Sequence, residues 1–224
     1  MSIWVKVCAN TSFEDAWLAA EAGADAVGFV FAPSPRQVTM EQVAAITPRL
    51  PDAIEKIGVF VDALPGDVET TVRACGLSGV QIHSEAGSEL QAELRRRLGP
   101  KLRILRVVHF GPEAAERAAV LADDNNIDAV LVDSRTATAM GGTGIVFDWA
   151  AASRTVFQGT RAQRLVAAGG LNPDNVADAI ATLNPWGVDV ASGVEAAPGR
   201  KDPDKVRIFV AKARGAAELR ALHT

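Results

Sequence analysis

Cysteine is scarce in this 224-residue chain, which carries only Cys8 and Cys75. Two isolated thiols make neither a CxxC metal pair nor a disulfide framework, so a zinc ribbon and a small stapled secreted scaffold are both excluded. Basic clusters are missing as well. The 23 Lys and Arg are scattered among 27 Asp and Glu, for a net charge of −4. A nucleic-acid partner needs a concentrated basic footprint, and a membrane surface needs a polybasic anchor, so neither partner is expected. No run approaches the roughly 18 apolar residues of a membrane span. The apolar start, residues 1–10, is too short for a signal sequence and is interrupted by Lys6. Low-complexity segments and linkers are absent too. The expectation is one domain over residues 1–224, in a reducing cytoplasm.

What is present is ample core material and a regular rhythm. Apolar residues make up 48% of the chain and charged residues 22%, the balance of an ordinary globular protein. Short β-rich runs recur at residues 3–8, 26–31, 56–61, 79–83, 102–109, 129–133, 164–168 and 187–191. Most are nearly continuous in apolar residues, as strands covered on both faces should be.

Helix-like segments lie between these runs. Thr11 and Glu14 have capping-box spacing, followed by Phe13, Ala16, Trp17 and Ala20 on one face. Val68, Val72 and Cys75 form another stripe, with Gly76 placed to stop the helix. Asn172-Pro173 and Asp202-Pro203 read as helix starts. The stripes Val176, Ala179, Ile180, Leu183 and Val206, Phe209, Val210, Ala213 follow them. Eight β-then-α units suit an α/β fold of the (β/α)₈ TIM-barrel type, with a doubly wound open sheet as the rival. Both folds bind ligands at the carboxyl ends of their strands.

The chemistry-bearing residues cluster at those ends. Cys8 closes the first run, where it is either a small buried hydrophobe or a reactive thiol. Asp133 closes the apolar run Ala129-Val130-Leu131-Val132, as a cap, a turn residue or a catalytic group. A glycine-rich stretch without apolar period, 134–146, follows it, and loops of that kind often clamp ligands. Ala168-Gly169-Gly170 and Ala191-Ser192-Gly193 end the seventh and eighth runs. Small residues there let backbone amides approach an anion, and these two slots commonly cradle phosphate in barrels. Arg36, after Pro33-Ser34-Pro35, could clamp a carboxylate or simply be solvated. His83 and His109 end strands and could polarise a substrate or bond a loop. Asp189, inside the eighth run, needs a partner whether protein or substrate. Cys75, on a helix stripe, reads as core.

In order and spacing, these residues resemble the phosphoribosylanthranilate isomerase family. The blocks that carry the likeness include Lys6-Val7-Cys8, Val80-Gln81-Ile82-His83, Val132-Asp133-Ser134, Gly141-Gly142-Thr143-Gly144, Ala168-Gly169-Gly170-Leu171-Asn172-Pro173, Gly187-Val188-Asp189-Val190-Ala191-Ser192-Gly193 and Pro198-Gly199-Arg200-Lys201-Asp202. The resemblance implies a (β/α)₈ barrel that performs the Amadori rearrangement of N-(5-phosphoribosyl)anthranilate in tryptophan biosynthesis. It implies Asp133 as general acid and Cys8 as general base. Gly169, Gly170, Ser192, Gly193, Gly142 and Thr143 would hold the phosphate, Arg36 would face the anthranilate carboxylate, and His83 and Asp189 would complete the substrate site. The implied partner is a small phosphosugar, with no cofactor and no metal, and the assembly is a monomer or a homodimer. The chain departs from the family pattern at Ala9-Asn10 (usually Gly-Ile), Ser84, Ile145 and Ala191, and its Arg36 loop is about one residue short.

Overall fold

The computed structural model describes residues 3–84, 88–133, 148–157 and 164–221. The strands are β1 (Trp4–Val7), β2 (Ala26–Val30), β3 (Glu55–Val61), β4 (Gly79–His83), β5 (Arg103–His109), β6 (Ala129–Asp133), β7 (Arg164–Ala168) and β8 (Gly187–Val190). They pair in parallel in sequence order and close into a barrel, β8 lying against β1. The helices are α1 (Phe13–Glu21), α2 (Met40–Ile46), α3 (Pro65–Cys75), α4 (Glu89–Leu98), α5 (Ala114–Ala122), α6 (Trp149–Ala152), α7 (Val176–Leu183) and α8 (Pro203–Ala221). A small antiparallel hairpin, β9 (Glu195–Ala197) and β10 (Arg200–Lys201), follows β8. The closed barrel disposes of the open-sheet rival, and every strand run read from the sequence falls on a barrel strand. Among the described residues no helix is long and apolar enough to cross a membrane.

Because side chains alternate along a strand, each barrel strand supplies two cores. Outward residues such as Val5, Val7, Val27, Phe29, Val80 and Ile82 meet the helices. Inward residues Trp4, Ala26, Ile57, Leu105, Val107, Ala129, Leu131, Val166 and Ala168 form a separate apolar plug inside the barrel. Trp186 stacks on Trp4 at 5.1 Å between ring centroids, closing the amino-terminal end. Above this plug, toward the carboxyl end, the inward positions turn polar, with Lys6, Gln81, Asp133 and Asp189 buried there.

The helix stripes of α3, α7 and α8 are buried as their spacing requires. Gly76 ends α3 in the left-handed region, φ 58°, with its N–H on Val72 O. Asp202 caps α8 by accepting from the amides of Asp204 and Lys205. Two starts differ from the sequence reading. Ser12, not Thr11, caps α1, accepting from Asp15 N at 3.2 Å, while the Thr11 hydroxyl donates to Gly199 O at 2.6 Å. Trp17 correspondingly turns out to solvent, and Ala16 and Ala19 form the buried face. Asn172 does not start α7 directly: its Oδ1 accepts from the amides of Asp174 and Asn175 in a side-chain-closed turn, and the helix begins at Val176.

Candidate active site

Cys8 lies one residue past β1 and continues that strand, its N–H donating to Val190 O at 2.7 Å. It points inward, two residues after Lys6, and is buried. Gly28, the neighbouring inward position of β2, makes the room. A methyl group there would lie 2.6 Å from Cys8 Sγ and 3.0 Å from Lys6 Cε. Ala9 turns the chain outward with φ 62°, a conformation costly for a residue with a Cβ. The buried Asn10 then donates through Nδ2 to Val7 O (2.9 Å) and Gly28 O (3.2 Å), tying the ends of β1 and β2 together.

Below the thiol sits a polar layer that the sequence reading passed over. Lys6, fully buried, donates to Asp189 Oδ1 and to Gln81 Oε1, both at 2.9 Å. Lys6 and Asp189 are direct register partners on β1 and β8, so the partner that Asp189 requires is supplied by the protein. Losing one member of such a pair would cost roughly 3–5 kcal/mol, because the other charge would stay buried and unpaired. Burial disfavours the ammonium, but Asp189 and Cys8 outweigh it and raise the Lys6 pKa. Gln81, with its oxygen committed to Lys6, turns Nε2 toward His83 Nε2 at 3.1 Å. That contact is a hydrogen bond only if His83 Nε2 accepts, which places the imidazole proton on Nδ1. The signal in sequence was the period of two: Lys6 and Cys8 share a face, as do Gln81 and His83.

Asp133 ends β6 and is buried, in register with His109 on β5 and Ala168 on β7. The His83 and His109 rings lie 5.9 Å apart, and His109 Nδ1 is buried with no hydrogen-bond partner among the described residues. Cys8, His83, His109 and Asp133 therefore ring the same carboxyl-end mouth. Gly142 and Thr143 lie outside the described residues.

The turns after β7 and β8 are locked against each other. Gly169 and Gly170 take φ 80° and 65°, open to glycine without strain. Asn175 Nδ2 holds the Gly170 carbonyl at 3.0 Å. Ser192 and Gly193 open a short 3-10 turn, Ser192–Val194. A methyl at Gly193 would come within 1.9 Å of Leu171 O, so no side chain fits there.

Arg36 has a carboxylate within the protein. Its Nε and Nη2 form a fork on Glu195, at 2.8 and 2.7 Å. Lys201 Nζ reaches Glu195 Oε1 at 3.3 Å and Ala191 O at 3.2 Å. Burial pushes the Glu195 carboxyl up, but Arg36 and Lys201 more than reverse this and leave it below its ordinary value. Burial holds the Lys201 pKa below normal, which Glu195 and Cys8 only partly offset. At Cys8 burial dominates and raises the thiol pKa, with Lys6 the chief opposing influence. Among the described residues no group of three or more His, Cys, Asp or Glu could hold a metal ion.

Cys8 and Asp133 thus stand at one barrel mouth beside the turns after β7 and β8. A family model described as N-(5'phosphoribosyl)anthranilate (PRA) isomerase matches residues 5–212. An N-(5'-phosphoribosyl)anthranilate isomerase of Citrifermentans bemidjiense is 44% identical over 211 residues, 94% of this chain and 96% of that one. The crystal structure of phosphoribosyl anthranilate isomerase from Thermotoga maritima superposes with a TM-score of 0.84 at 36% identity, covering 95% of this chain and 99% of that one. A structure of such an isomerase in complex with reduced 1-(o-carboxyphenylamino)-1-deoxyribulose 5-phosphate has a TM-score of 0.81 at 35% identity, with the same coverage. Matched in sequence and in fold along nearly its whole length, the chain belongs to the phosphoribosylanthranilate isomerase family.

Proposed function

We propose that this barrel converts N-(5-phosphoribosyl)anthranilate to 1-(2-carboxyphenylamino)-1-deoxyribulose 5-phosphate with Asp133 as acid and Cys8 as base. Asp133 protonates the ribose ring oxygen, and the ring opens to a Schiff base. Cys8, as thiolate, removes the C2′ proton to give the enolamine, which tautomerises to the ketone product. The rearrangement moves hydrogen within one molecule, so its balance requires no oxidant. The observation that carries this assignment is the placement of Cys8 and Asp133, both buried, at the carboxyl ends of β1 and β6 on one mouth. The glycine turns Gly169-Gly170 and Ser192-Gly193 favour phosphate binding through backbone amides. With Nε and Nη2 on Glu195, Arg36 offers its Nη1 edge to the anthranilate carboxylate. His83 stands at the mouth as a substrate-binding group, and Asp189 serves the site through Lys6. The same reading has one catalytic domain acting in the cytoplasm as a monomer or homodimer.

The test is the loss of phosphoribosylanthranilate fluorescence during turnover. Positioned acid or base groups contribute about 10²–10⁴-fold each. Cys8→Ser and Asp133→Asn should each lower kcat by a factor in that range while the circular dichroism spectrum stays unchanged. Near-normal turnover in either folded variant removes that residue from its role, and no turnover by the unmodified chain overturns the reading.

A further inference from the structure

A thiol buried at the end of an apolar strand is a poor base at neutral pH, because burial favours its neutral form. The mechanism just proposed needs the thiolate, so something in the barrel must favour the anion. The rim and the layer beneath it present four charged groups to Cys8: Lys6 from β1, Asp189 from β8, Lys201 from β10 and Arg36 from the loop after β2. Lys201 and Arg36 are both committed to Glu195. Asp189 carries the wrong sign and acts through Lys6. Lys6 is the cation that reaches the sulfur. Its Cε and the Cys8 Sγ flank the same point above Gly28, 3.0 and 2.6 Å from where a methyl would sit, so the lysine chain runs beside the sulfur and its charge favours the thiolate.

We infer that Lys6 is the positioning residue of this isomerisation, its ammonium holding Cys8 as the proton acceptor. The inference rests on the proposed role of Cys8. An ammonium has three protons to give. Two are fixed by Asp189 and Gln81, which leaves the third for the sulfur. The lysine therefore cannot swing away, and its charge stays directed at the anion that forms when the thiol ionises. Asp189 and Gln81 aim the donor, and Gly28 leaves the space in which the sulfur and the lysine chain lie side by side. The same bonds orient Gln81 toward His83, so one buried cation organises two of the groups at the mouth.

The chain has no tyrosine. In a Cys75→Ala background the thiolate ultraviolet absorbance at alkaline pH therefore reports Cys8 alone. Lys6→Met would strand the Asp189 carboxylate, so the working variant is Lys6→Met/Asp189→Asn, which removes both charges together. Its Cys8 titration should move to higher pH by about one unit, and kcat/KM at neutral pH should fall roughly tenfold and recover as pH rises. A titration and an acid limb that stay in place in the folded double variant overturn the inference. A second measurement needs no change at Lys6. In the Cys75→Ala chain with ¹⁵N-labelled lysine side chains, the buried ammonium resonance should follow the Cys8 titration and lose that movement in Cys8→Ser. An ammonium signal indifferent to Cys8 overturns the inference equally. Absorbance and resonance read the thiol and the ammonium without substrate. A chain with this coupling but no turnover would therefore overturn the proposed function, and with it the part of Lys6 in the isomerisation, while the coupling of ammonium and thiol stood.

Discussion

At the scale of single residues, the base is held by a turn built from an unfavourable residue. Ala9 adopts φ 62°, where an L-residue with a Cβ is destabilised by about 1–2 kcal/mol. The family pattern usually has glycine at this place, and Ala9 was visible in the sequence as a departure but not as strain. Only the backbone angle shows that this position needs left-handed geometry. Glycine gains about 0.4–1 kcal/mol of unfolded-state freedom, which offsets part of the relief. Ala9→Gly should therefore raise unfolding stability by roughly 0.5–1 kcal/mol in urea denaturation, with kcat preserved. A stability at or below that of the parent would show that Ala9 is accommodated without cost. The neighbouring Asn10 explains why the turn holds its shape regardless: its Nδ2 bonds to Val7 O and Gly28 O close the loop from within. Lys6 is the opposite case. In the sequence it was merely the charge that broke an apolar run, because its partner Asp189 is 183 positions away and becomes adjacent only when β8 closes on β1.

At the scale of elements, the strands were legible and the helix starts less so. The apolar runs follow from local patterning, and their carboxyl ends mark where Cys8, His83 and Asp133 reach the mouth. Helix starts depend on which of several capping residues is free to cap. Thr11 lost that role to Ser12 because its hydroxyl is taken by Gly199 of the β9–β10 hairpin, a contact that local sequence cannot show. Asn172 closes a turn of its own before α7. The glycines at the mouth carry a sharper consequence. Gly28 is where β2 lets the sulfur and the Lys6 chain share space, and a methyl there overlaps Cys8 Sγ. Gly28→Ala should displace the thiol and lower kcat by about 10²-fold, the scale of a 1 Å misplacement. Gly193→Ala meets a backbone carbonyl instead of a movable side chain, so it should separate the turns after β7 and β8. Its effect should fall mainly on KM for the phosphorylated substrate. Steady-state kinetics distinguishes the two, and a Gly193→Ala variant with unchanged KM would remove that turn from phosphate binding.

At the scale of the whole molecule, the barrel is closed by β8 on β1, and the β9–β10 hairpin straps that seam from outside. Thr11 holds Gly199 O, Asp15 accepts from Lys201 N at 3.2 Å, and Glu195 gathers Arg36, Lys201 and the Gly199 amide. Segments from the start, the second loop and the end of the chain thus meet at one hairpin. Composition and alternation left a barrel or an open sheet and gave no sign of this strap, whose bonds join residues more than 150 positions apart. Its pH dependence follows from the sign of the Glu195 shift. Burial opposes the carboxylate, Arg36 and Lys201 overcome it, and the folded pKa lies below the ordinary 4.5. A group with a depressed folded pKa stabilises above its unfolded pKa and loses that contribution as pH falls through the folded value. Asp15 works the other way. Burial raises its pKa above 3.8 despite the Lys201 amide, so its cost at neutral pH is relieved by acid. Glu195 is the group whose ionisation ties the strap together, so Glu195→Gln should cost about 1–3 kcal/mol at pH 7, the scale of hydrogen bonds to charged groups. Urea unfolding followed from neutral pH to well below 4.5 should show the parent keeping its advantage over Glu195→Gln down to about pH 4.5 and losing it below, until the two converge in acid. A constant gap between the two curves across that range would mean that the strap is held by packing and not by the Glu195 charge.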